Sequence, residues 1–254
     1  MCPGPQLAAA VPFCKNFRRR YPSVPIVWGG YFPSLYTDAV LGASYVDYAV
    51  RGQGEETFVE LLACLRGKGH LSSVAGLSYK DRFGLQVHNP NRPLKSPDAF
   101  PRLPYHRLDA SQYLLPTFLG SRTAVHQASI GCPFKCNFCG VVPVYDREKM
   151  EPAERTVSVL AHLKETYGAN AVQFYDNNFF LREDHARELA DRLTPLGMRW
   201  WCEARVDIVL GYSDDTLRRL RLAGCTMIFF GVESGSNQTL AAMKKQLRTE
   251  QVQE

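Results

Sequence analysis

Three cysteines lie close together near the middle of the chain, at Cys132, Cys136 and Cys139, in a C-x3-C-x2-C pattern. Their thiolates are soft ligands that suit iron–sulfur clusters and zinc. A 4Fe–4S cluster has four irons, so three thiolates leave one iron without a protein ligand. An open coordination position of this kind can bind and activate a small molecule. The triplet therefore predicts a reactive 4Fe–4S site.

Two other interpretations of the triplet fit the sequence less well. A structural zinc site takes four ligands in two separated pairs, and no second C-x2-C pair or H-x3-5-H element follows the triplet. A disulfide framework is disfavoured because eight cysteines in 254 residues is a modest density and no N-terminal signal pattern is recognised. We interpret the remaining cysteines as small buried residues. They are Cys2, Cys14, Cys64, Cys202 and Cys225.

The composition is that of an ordinary globular protein, with 45% hydrophobic and 22% charged residues. No apolar run approaches the roughly 18–20 residues that span a bilayer, so we expect no membrane span. The net charge of +5 is mild. The one dense basic run, Arg18 to Arg20, ends a helical pattern and is interpreted as a solvated last turn. We therefore expect no nucleic-acid partner, and reduced thiols with an oxygen-sensitive cluster predict the cytoplasm.

The chain is predicted to divide into three segments: an α/β domain at 1–88, a linker at 89–120 and an α/β core at 121–254. The linker is rich in proline, which fixes backbone angles and removes hydrogen-bond donors, and it lacks sustained periodicity. In the first segment the pattern predicts helices over 5–20 and up to residue 65, two short buried strands, and a hairpin. Those strands are 24–30 and 45–50, and the hairpin joins 77–80 to 86–88.

Glycines follow both short strands of the first segment. Gly29 and Gly30 end one strand, and Gly52 and Gly54 follow the other. Open α/β sheets bind ligands at this edge, beyond the carboxyl ends of their strands.

In the third segment predicted strands alternate with helices of 10–15 residues. This alternation indicates βαβ units, a parallel sheet and right-handed crossovers. The predicted strands are 124–130, 171–176, 198–206 and 227–232, and the predicted helices are 151–167, 183–196, 213–223 and 238–247.

A polar group follows each predicted strand of the core. The first strand leads into the cysteines, Asp176 ends the second, Arg205 lies at the end of the third, and Glu233 with Ser234 follows the fourth. Each could instead cap a turn or pair with a neighbouring charge. Together they mark one edge of the sheet as a site.

These residues resemble the signature of the radical S-adenosylmethionine (radical SAM) superfamily, including the aromatic Phe138 just before the third cysteine. The resemblance implies a partial (β/α) barrel in which Cys132, Cys136 and Cys139 hold a 4Fe–4S cluster. It also implies that SAM chelates the open iron and is cleaved reductively to a 5′-deoxyadenosyl radical. The residues that the resemblance assigns to SAM are Phe138, Asp176, Arg205, Glu233 and Ser234.

Two segments, 29–34 and 50–57, resemble the last part of the cobalamin-binding domain that precedes many radical SAM domains. That domain is Rossmann-like, and the resemblance places Gly29, Gly30, Gly52 and Gly54 at the pocket for the nucleotide tail of cobalamin. The D-x-H-x-x-G element, whose histidine ligates cobalt in that domain, does not occur in this sequence. A residual α/β scaffold without cobalamin is therefore the alternative for this segment.

The resemblance implies cobalamin-dependent methyl transfer, or a rearrangement, at an unactivated carbon of a small-molecule or peptide substrate. A flavodoxin or ferredoxin would supply electrons. The family's barrel has about six βα units and only four are predicted here, so we expect a chain cut at both ends. A truncated or split protein that binds the cluster without turnover is the alternative. A methylthiotransferase-like enzyme ranks lower, because it would need a second cysteine set.

Overall fold

A computed structural model of the protein describes residues 5–145 and 147–253, and Cys2 lies outside these residues. The described residues form two compact units. The first contains residues 5–95 and 143–145, and the second contains 96–142 and 147–253. Among the described residues no helix is both long and apolar enough to cross a membrane.

The first unit contains a four-stranded mixed sheet. The strands, in sheet order, are β1 Val27–Gly29, β2 Tyr48–Val50, β3 Leu77–Lys80 and β4 Gln86–His88. Strands β1 and β2 are parallel, as expected for a Rossmann-like scaffold, and β3 and β4 form the predicted antiparallel hairpin.

Four helices accompany this sheet, and the two longer ones are where the sequence predicts them. They are α1 Pro5–Arg20, α2 Tyr31–Leu35, α3 Thr37–Gly42 and α4 Glu55–Leu65. The two short helices α2 and α3 lie between β1 and β2, where the sequence predicts no element. The expectation of a solvated basic turn is wrong for Arg18, whose guanidinium donates to the carbonyls of Pro22 and Val24 and pairs with Asp47.

The second unit is built on a four-stranded parallel sheet in chain order. Its strands are β5 Thr123–His126, β8 Ala171–Phe174, β9 Arg199–Ala204 and β10 Cys225–Phe230. The α/β class and the four predicted βα units are thus confirmed. The connecting and following helices are α5 Ala153–Tyr167, α6 Glu183–Leu193, α7 Val206–Val209, α8 Asp214–Leu222, α9 Asn237–Ala242 and α10 Thr249–Gln253.

The prediction of one strand over 124–130 is wrong. The chain leaves the parallel sheet after β5 and forms a separate two-stranded antiparallel ribbon. Its strands are β6 Ser129–Gly131 and β7 Glu148–Met150. At the break, the backbone N–H groups of Ala128 and Ser129 donate to the Asp176 carboxylate, at 3.3 Å and 2.5 Å. Because these amides bond to a side chain, they do not continue the β5 ladder.

Local signals explain the ends of the main helices. Helix α5 ends at Gly168, whose φ of 70° is left-handed and whose N–H bonds to the Lys164 carbonyl at 2.9 Å. Helix α8 begins after Ser213, whose hydroxyl caps the Thr216 N–H. Both helices therefore begin or end near their predicted positions.

Aromatic residues fill the core between the parallel sheet and its helices. Trp200 and Phe174 are fully buried with ring centroids 5.7 Å apart, and the indole N–H of Trp200 donates to the Ala223 carbonyl at 2.9 Å. Cys202 and Cys225 are buried in the same cluster. Cys14 is buried in the first unit and Cys64 is half-buried there, so three of these four cysteines are buried as predicted.

Candidate functional site

The three-cysteine loop, residues 132–140, connects β6 to the chain leading to β7. Cys136 is buried, and Cys132 and Cys139 are half-buried. The backbone N–H of Cys139 donates to the Cys136 carbonyl at 3.2 Å, which curls the loop. Burial raises the pKa of the Cys132 thiol, and the neighbouring Cys139 and Cys136 raise it further. Cys132 therefore lies within electrostatic range of the other two cysteines.

The thiol set matches the donor chemistry of a three-ligand cluster. All seven cysteines among the described residues are unpaired thiols, and only these three share a loop. Across residues 5–145 and 147–253, no group of three His, Cys, Asp or Glu side chains is close enough to hold a single metal ion. The three thiols of a 4Fe–4S site bind different irons, so they need not meet at one point.

The last residue of helix α9 and the four residues after it, which we call the 242–246 segment, hold the three-cysteine loop in place. Asn137 donates its backbone N–H to the Met243 carbonyl at 3.1 Å and its side-chain amide to the Ala242 carbonyl at 2.8 Å. Within the segment Lys244 and Gln246 have positive φ angles, 54° and 56°. Such left-handed conformations cost about 1 kcal/mol or more in non-glycine residues and persist where tertiary contacts enforce them.

Arg205, directly after β9, is only 5% exposed and lies against the three-cysteine loop. One terminal nitrogen is 3.9 Å from the Cys136 sulfur, and the guanidinium carbon is 3.7 Å from the ring centroid of Phe134. Asp207 accepts from the other side of the guanidinium at 3.0 Å and 2.8 Å. The structure thus brings Arg205 and the cysteines together.

Glu233 and Ser234 lie where the chain leaves β10. Glu233 has a φ of 68°, and its carboxylate pairs at 3.0 Å with Lys245, whose side chain is 8% exposed. The Ser234 hydroxyl accepts from the Ser236 N–H at 3.1 Å. A Cβ at Gly231 would lie 2.7 Å from the Glu233 carboxylate, so a glycine leaves room for the ion pair.

Phe138 is 48% exposed, and the Lys245 ammonium lies 5.9 Å from its ring centroid. Lys245 therefore joins Phe138 of the three-cysteine loop to Glu233 beyond β10. An exposed aromatic face beside a paired cation is available for contact with a ligand.

Asp176 is 1% exposed, and its carboxylate accepts from the N–H groups of Ala128 and Ser129, shortly before the three-cysteine loop. Burial raises its pKa to about 6, against the opposing effect of the amides that it accepts from. Burial and the Asp176 charge likewise raise the pKa of Glu148, on the facing strand β7, to about 7. Asn178, two residues beyond Asp176, is also buried, and neither of its amide atoms has a partner among the described residues.

Sequence reasoning missed Phe134, Asn137 and Lys245. Phe134 and Asn137 lie inside the cysteine motif, between its cysteines, so their positions alone could have marked them. Lys245 lies beyond α9, and no local pattern connects it to the cysteines.

In the first unit the structure brings the four predicted glycines, Gly29, Gly30, Gly52 and Gly54, to one edge of the sheet, which we call the glycine edge. Gly29 ends β1 opposite Val50, the last residue of β2. The Gly52 N–H donates to the Ser34 hydroxyl at 2.9 Å, and Gly30 is the residue before α2. A Cβ at Gly54 would lie 2.9 Å from a Val50 methyl group, so Gly54 permits close approach of the chain.

Polar residues around these glycines bind the chain that leaves the sheet, residues 89–95. Gln53 is 6% exposed and forms two bonds to the Lys95 backbone, at 2.9 Å and 3.1 Å. Arg92 donates to the Thr57 hydroxyl at 2.9 Å and pairs with Glu56 at 3.1 Å. The motif residues therefore have a structural role whether or not a ligand binds.

Fold and site together define a class: a parallel α/β sheet with a three-cysteine loop and polar residues beyond its strand ends. The family model described as the radical SAM superfamily matches residues 127–254, just over half of the chain. The chain belongs to the radical SAM superfamily. This family uses a 4Fe–4S cluster and SAM.

Two relatives extend the similarity beyond the matched residues. An uncharacterized methyltransferase of Pyrococcus horikoshii is 30% identical over 210 residues, covering 81% of this chain and 44% of the relative. An anaerobic magnesium-protoporphyrin IX monomethyl ester cyclase of Synechocystis sp. is 25% identical over 235 residues, covering 91% and 46%. The chain thus spans about half the length of the curated relatives that it matches.

A solved structure shares the fold. The cobalamin-dependent S-adenosylmethionine radical enzyme OxsB, in its apo form, superposes with a TM-score of 0.77 at 23% identity. The match covers 97% of this chain and 36% of OxsB.

Proposed function

We propose that this chain is the core of a radical SAM enzyme that cleaves SAM reductively and serves cobalamin-dependent methyl transfer to an unactivated carbon. The observation that carries the proposal is the three-cysteine loop, held by groups that follow β9 and β10. Three thiols with no fourth cysteine in the loop leave one iron of a cluster open to SAM. Bound there, the cluster would supply the electron that breaks SAM into methionine and a 5′-deoxyadenosyl radical.

The residues around the loop divide into two groups in this proposal. Phe138, Glu233 and Ser234 are exposed or half-buried and would contact SAM directly. Asp176 and Arg205 are buried and bonded to protein groups. Asp176 would act by fixing the entry to the three-cysteine loop. At least four of the five N–H groups of Arg205 are engaged, so at most one would serve the SAM carboxylate. The site would thus combine direct contacts with a rigid base.

Residues 1–88 would be the cobalamin-domain remnant, joined through 89–120 to the core at 121–254. The glycine edge supports this proposal because Gly29, Gly30, Gly52 and Gly54 lie at adjacent parallel strand ends, where α/β sheets bind ligands. The similarity to OxsB, a cobalamin-dependent enzyme by its description, points the same way. In this proposal the glycines would contact the nucleotide tail of cobalamin.

The substrate would be a small molecule or peptide. Methyl transfer is favoured by the methyltransferase relative, and ring formation or rearrangement is the second outcome, favoured by the cyclase relative. Flavodoxin or ferredoxin would reduce the cluster in the cytoplasm.

Anaerobic reconstitution with iron and sulfide, followed by dithionite and SAM, tests the proposal. We expect bound iron and sulfide, and 5′-deoxyadenosine detected by mass spectrometry. The Cys136→Ala variant should yield neither. If that variant binds iron normally, the cluster assignment is wrong.

The same experiment separates turnover from binding alone. A loaded cluster that forms no 5′-deoxyadenosine, with activity appearing in a longer chain, would support the split or truncated iron–sulfur protein instead. Cobalamin is tested separately, by titrating hydroxocobalamin and following its absorbance. No spectral change at saturating concentrations would leave the first unit as a scaffold.

A further inference from the structure

Arg205 forms contacts that the binding of SAM does not explain. Its guanidinium stacks on the ring of Phe134 at 3.7 Å, and one terminal nitrogen lies 3.9 Å from the Cys136 sulfur. Both contacts are to the three-cysteine loop itself. A planar guanidinium can stack and donate N–H bonds at once, and a lysine ammonium cannot reproduce both.

The other terminal nitrogen of Arg205 bonds to the 242–246 segment. It donates to the Lys245 carbonyl at 2.6 Å and to the Gln246 carbonyl at 3.4 Å. In the same segment the carbonyls of Ala242 and Met243 accept from Asn137 of the three-cysteine loop. One buried side chain thus links the loop to the segment that supports it.

Asp207 accepts two hydrogen bonds from the guanidinium, one from Nε and one from the same terminal nitrogen that bonds to the 242–246 segment. Its side chain is 18% exposed, whereas that of Arg205 is 6% exposed. The carboxylate therefore offsets the arginine charge on the side away from Cys136. Removing Arg205 would make the net charge beside the sulfur more negative, and removing Asp207 would make it more positive.

We propose that Arg205 is a positioning residue that orders the three-cysteine loop and, through its charge beside Cys136, raises the reduction potential of the cluster, with Asp207 moderating that effect. The charge and hydrogen bonds around cluster sulfurs are known determinants of potential. The second part of this inference rests on the proposed function, because it needs the cluster. The ordering of the loop does not.

The potential is measured by electron paramagnetic resonance redox titration of the reconstituted chain without SAM. Arg205→Met should lower the midpoint potential by about 59 mV. For a one-electron couple, this shift reduces the ratio of reduced to oxidised cluster at a fixed potential about tenfold. Asp207→Asn should shift it the other way. Arg219→Met is the matched control, since Arg219 also forms aspartate pairs, with Asp191 and Asp215, but on exposed helices. It should leave the potential unchanged.

The ordering of the loop is measured in the iron-free chain by amide hydrogen exchange of residues 132–140. Arg205→Met should speed exchange there about tenfold, with Arg205→Lys as severe because lysine loses the stacked fork. Circular dichroism and thermal unfolding identify any variant that fails to fold. If Arg205→Met fails to fold, the midpoint potential of Asp207→Asn tests the electrostatic role, and hydrogen exchange in Arg205→Lys tests the ordering role.

The outcomes separate this inference from the proposed function. If the unaltered chain loads no cluster, the proposed function and the effect on potential both fail, and exchange alone decides the ordering role. If it loads a cluster but Arg205→Met and Asp207→Asn shift the potential in the same direction or not at all, only the electrostatic role is overturned. Unchanged exchange in Arg205→Met overturns the ordering role.

Discussion

The three-cysteine loop of the second unit and the glycine edge of the first unit are held in different ways. The loop is held by groups distant in sequence: the Arg205 side chain, and the backbone carbonyls of the 242–246 segment, which accept from Asn137. The glycine edge is held by neighbours in its own sheet and by the chain that leaves it, through Gln53 and Arg92.

This difference separates a site that depends on tertiary contacts from one that is largely a backbone scaffold. At the three-cysteine loop the reactive groups are side chains, and buried charges fix them. At the glycine edge, the buried polar side chain of Gln53 is already bonded to the Lys95 backbone, so a ligand there would contact the backbone of the glycines. Changes at the first site should alter chemistry, and changes at the second should alter stability.

The largest effect is expected from Cys136→Ala. Loss of one of three thiolates removes a ligand that no other side chain in the loop replaces, so most of the bound iron should be lost. Iron and sulfide analysis after reconstitution measures this. The control is Cys64→Ala in the first unit, which should retain full iron loading, and equal loss in both variants would contradict the comparison.

The second effect is expected from Gln53→Ala. This change leaves the Lys95 N–H and carbonyl without their partner, which costs about 1–3 kcal/mol in the free energy of unfolding. Urea denaturation measures the loss, and iron loading should not change. Gln86→Ala is the control, because its amide bonds to Asp38 at the exposed surface and should cost under about 0.5 kcal/mol. A loss of iron in Gln53→Ala would contradict the scaffold role.

The third effect concerns pH. Burial raises the pKa of Asp176 to about 6 and that of Glu148 to about 7, so the folded state binds more protons than the unfolded state between about pH 4 and 7. Their contribution to stability is therefore complete below about pH 4 and is lost as pH rises through 6 to 7.

The measurement is urea denaturation of the iron-free chain at pH 5 and pH 8. Glu148→Gln removes one of the two titrating groups and should reduce the difference between the two pH values. An equal or larger difference in that variant would show that other groups govern the pH dependence.

The smallest effect is expected from Arg219→Met. Arg219 pairs with Asp191 and Asp215 on the exposed faces of α6 and α8, and such pairs contribute about 0–1 kcal/mol. Thermal unfolding measures the change, which salt should diminish because exposed charges are screened. A loss well above this range would show that surface pairs contribute as much as the buried Gln53 bonds.

The βα alternation of the second unit was predictable because apolar periodicity and terminal glycines such as Gly168 and Gly197 are local signals. The break between β5 and β6 was not predictable. It depends on the Asp176 carboxylate, 48 residues away from Ala128, which accepts the amides that would have continued the strand. Helices α2 and α3 were missed because each is only five or six residues long and has little periodicity.

The sequence by itself determined the three-cysteine motif, the parallel α/β core and the family, because cysteine spacing and hydrophobic periodicity are properties of short stretches of chain. Only the tertiary structure decided what surrounds those cysteines. It placed Lys245 between Phe138 and Glu233, and it turned Arg205 toward Cys136 and the carbonyls beyond α9. The physical reason is that a buried charge must find partners wherever the fold provides them. For Arg205 these include Cys136 and the Lys245 carbonyl, which are far from it in sequence.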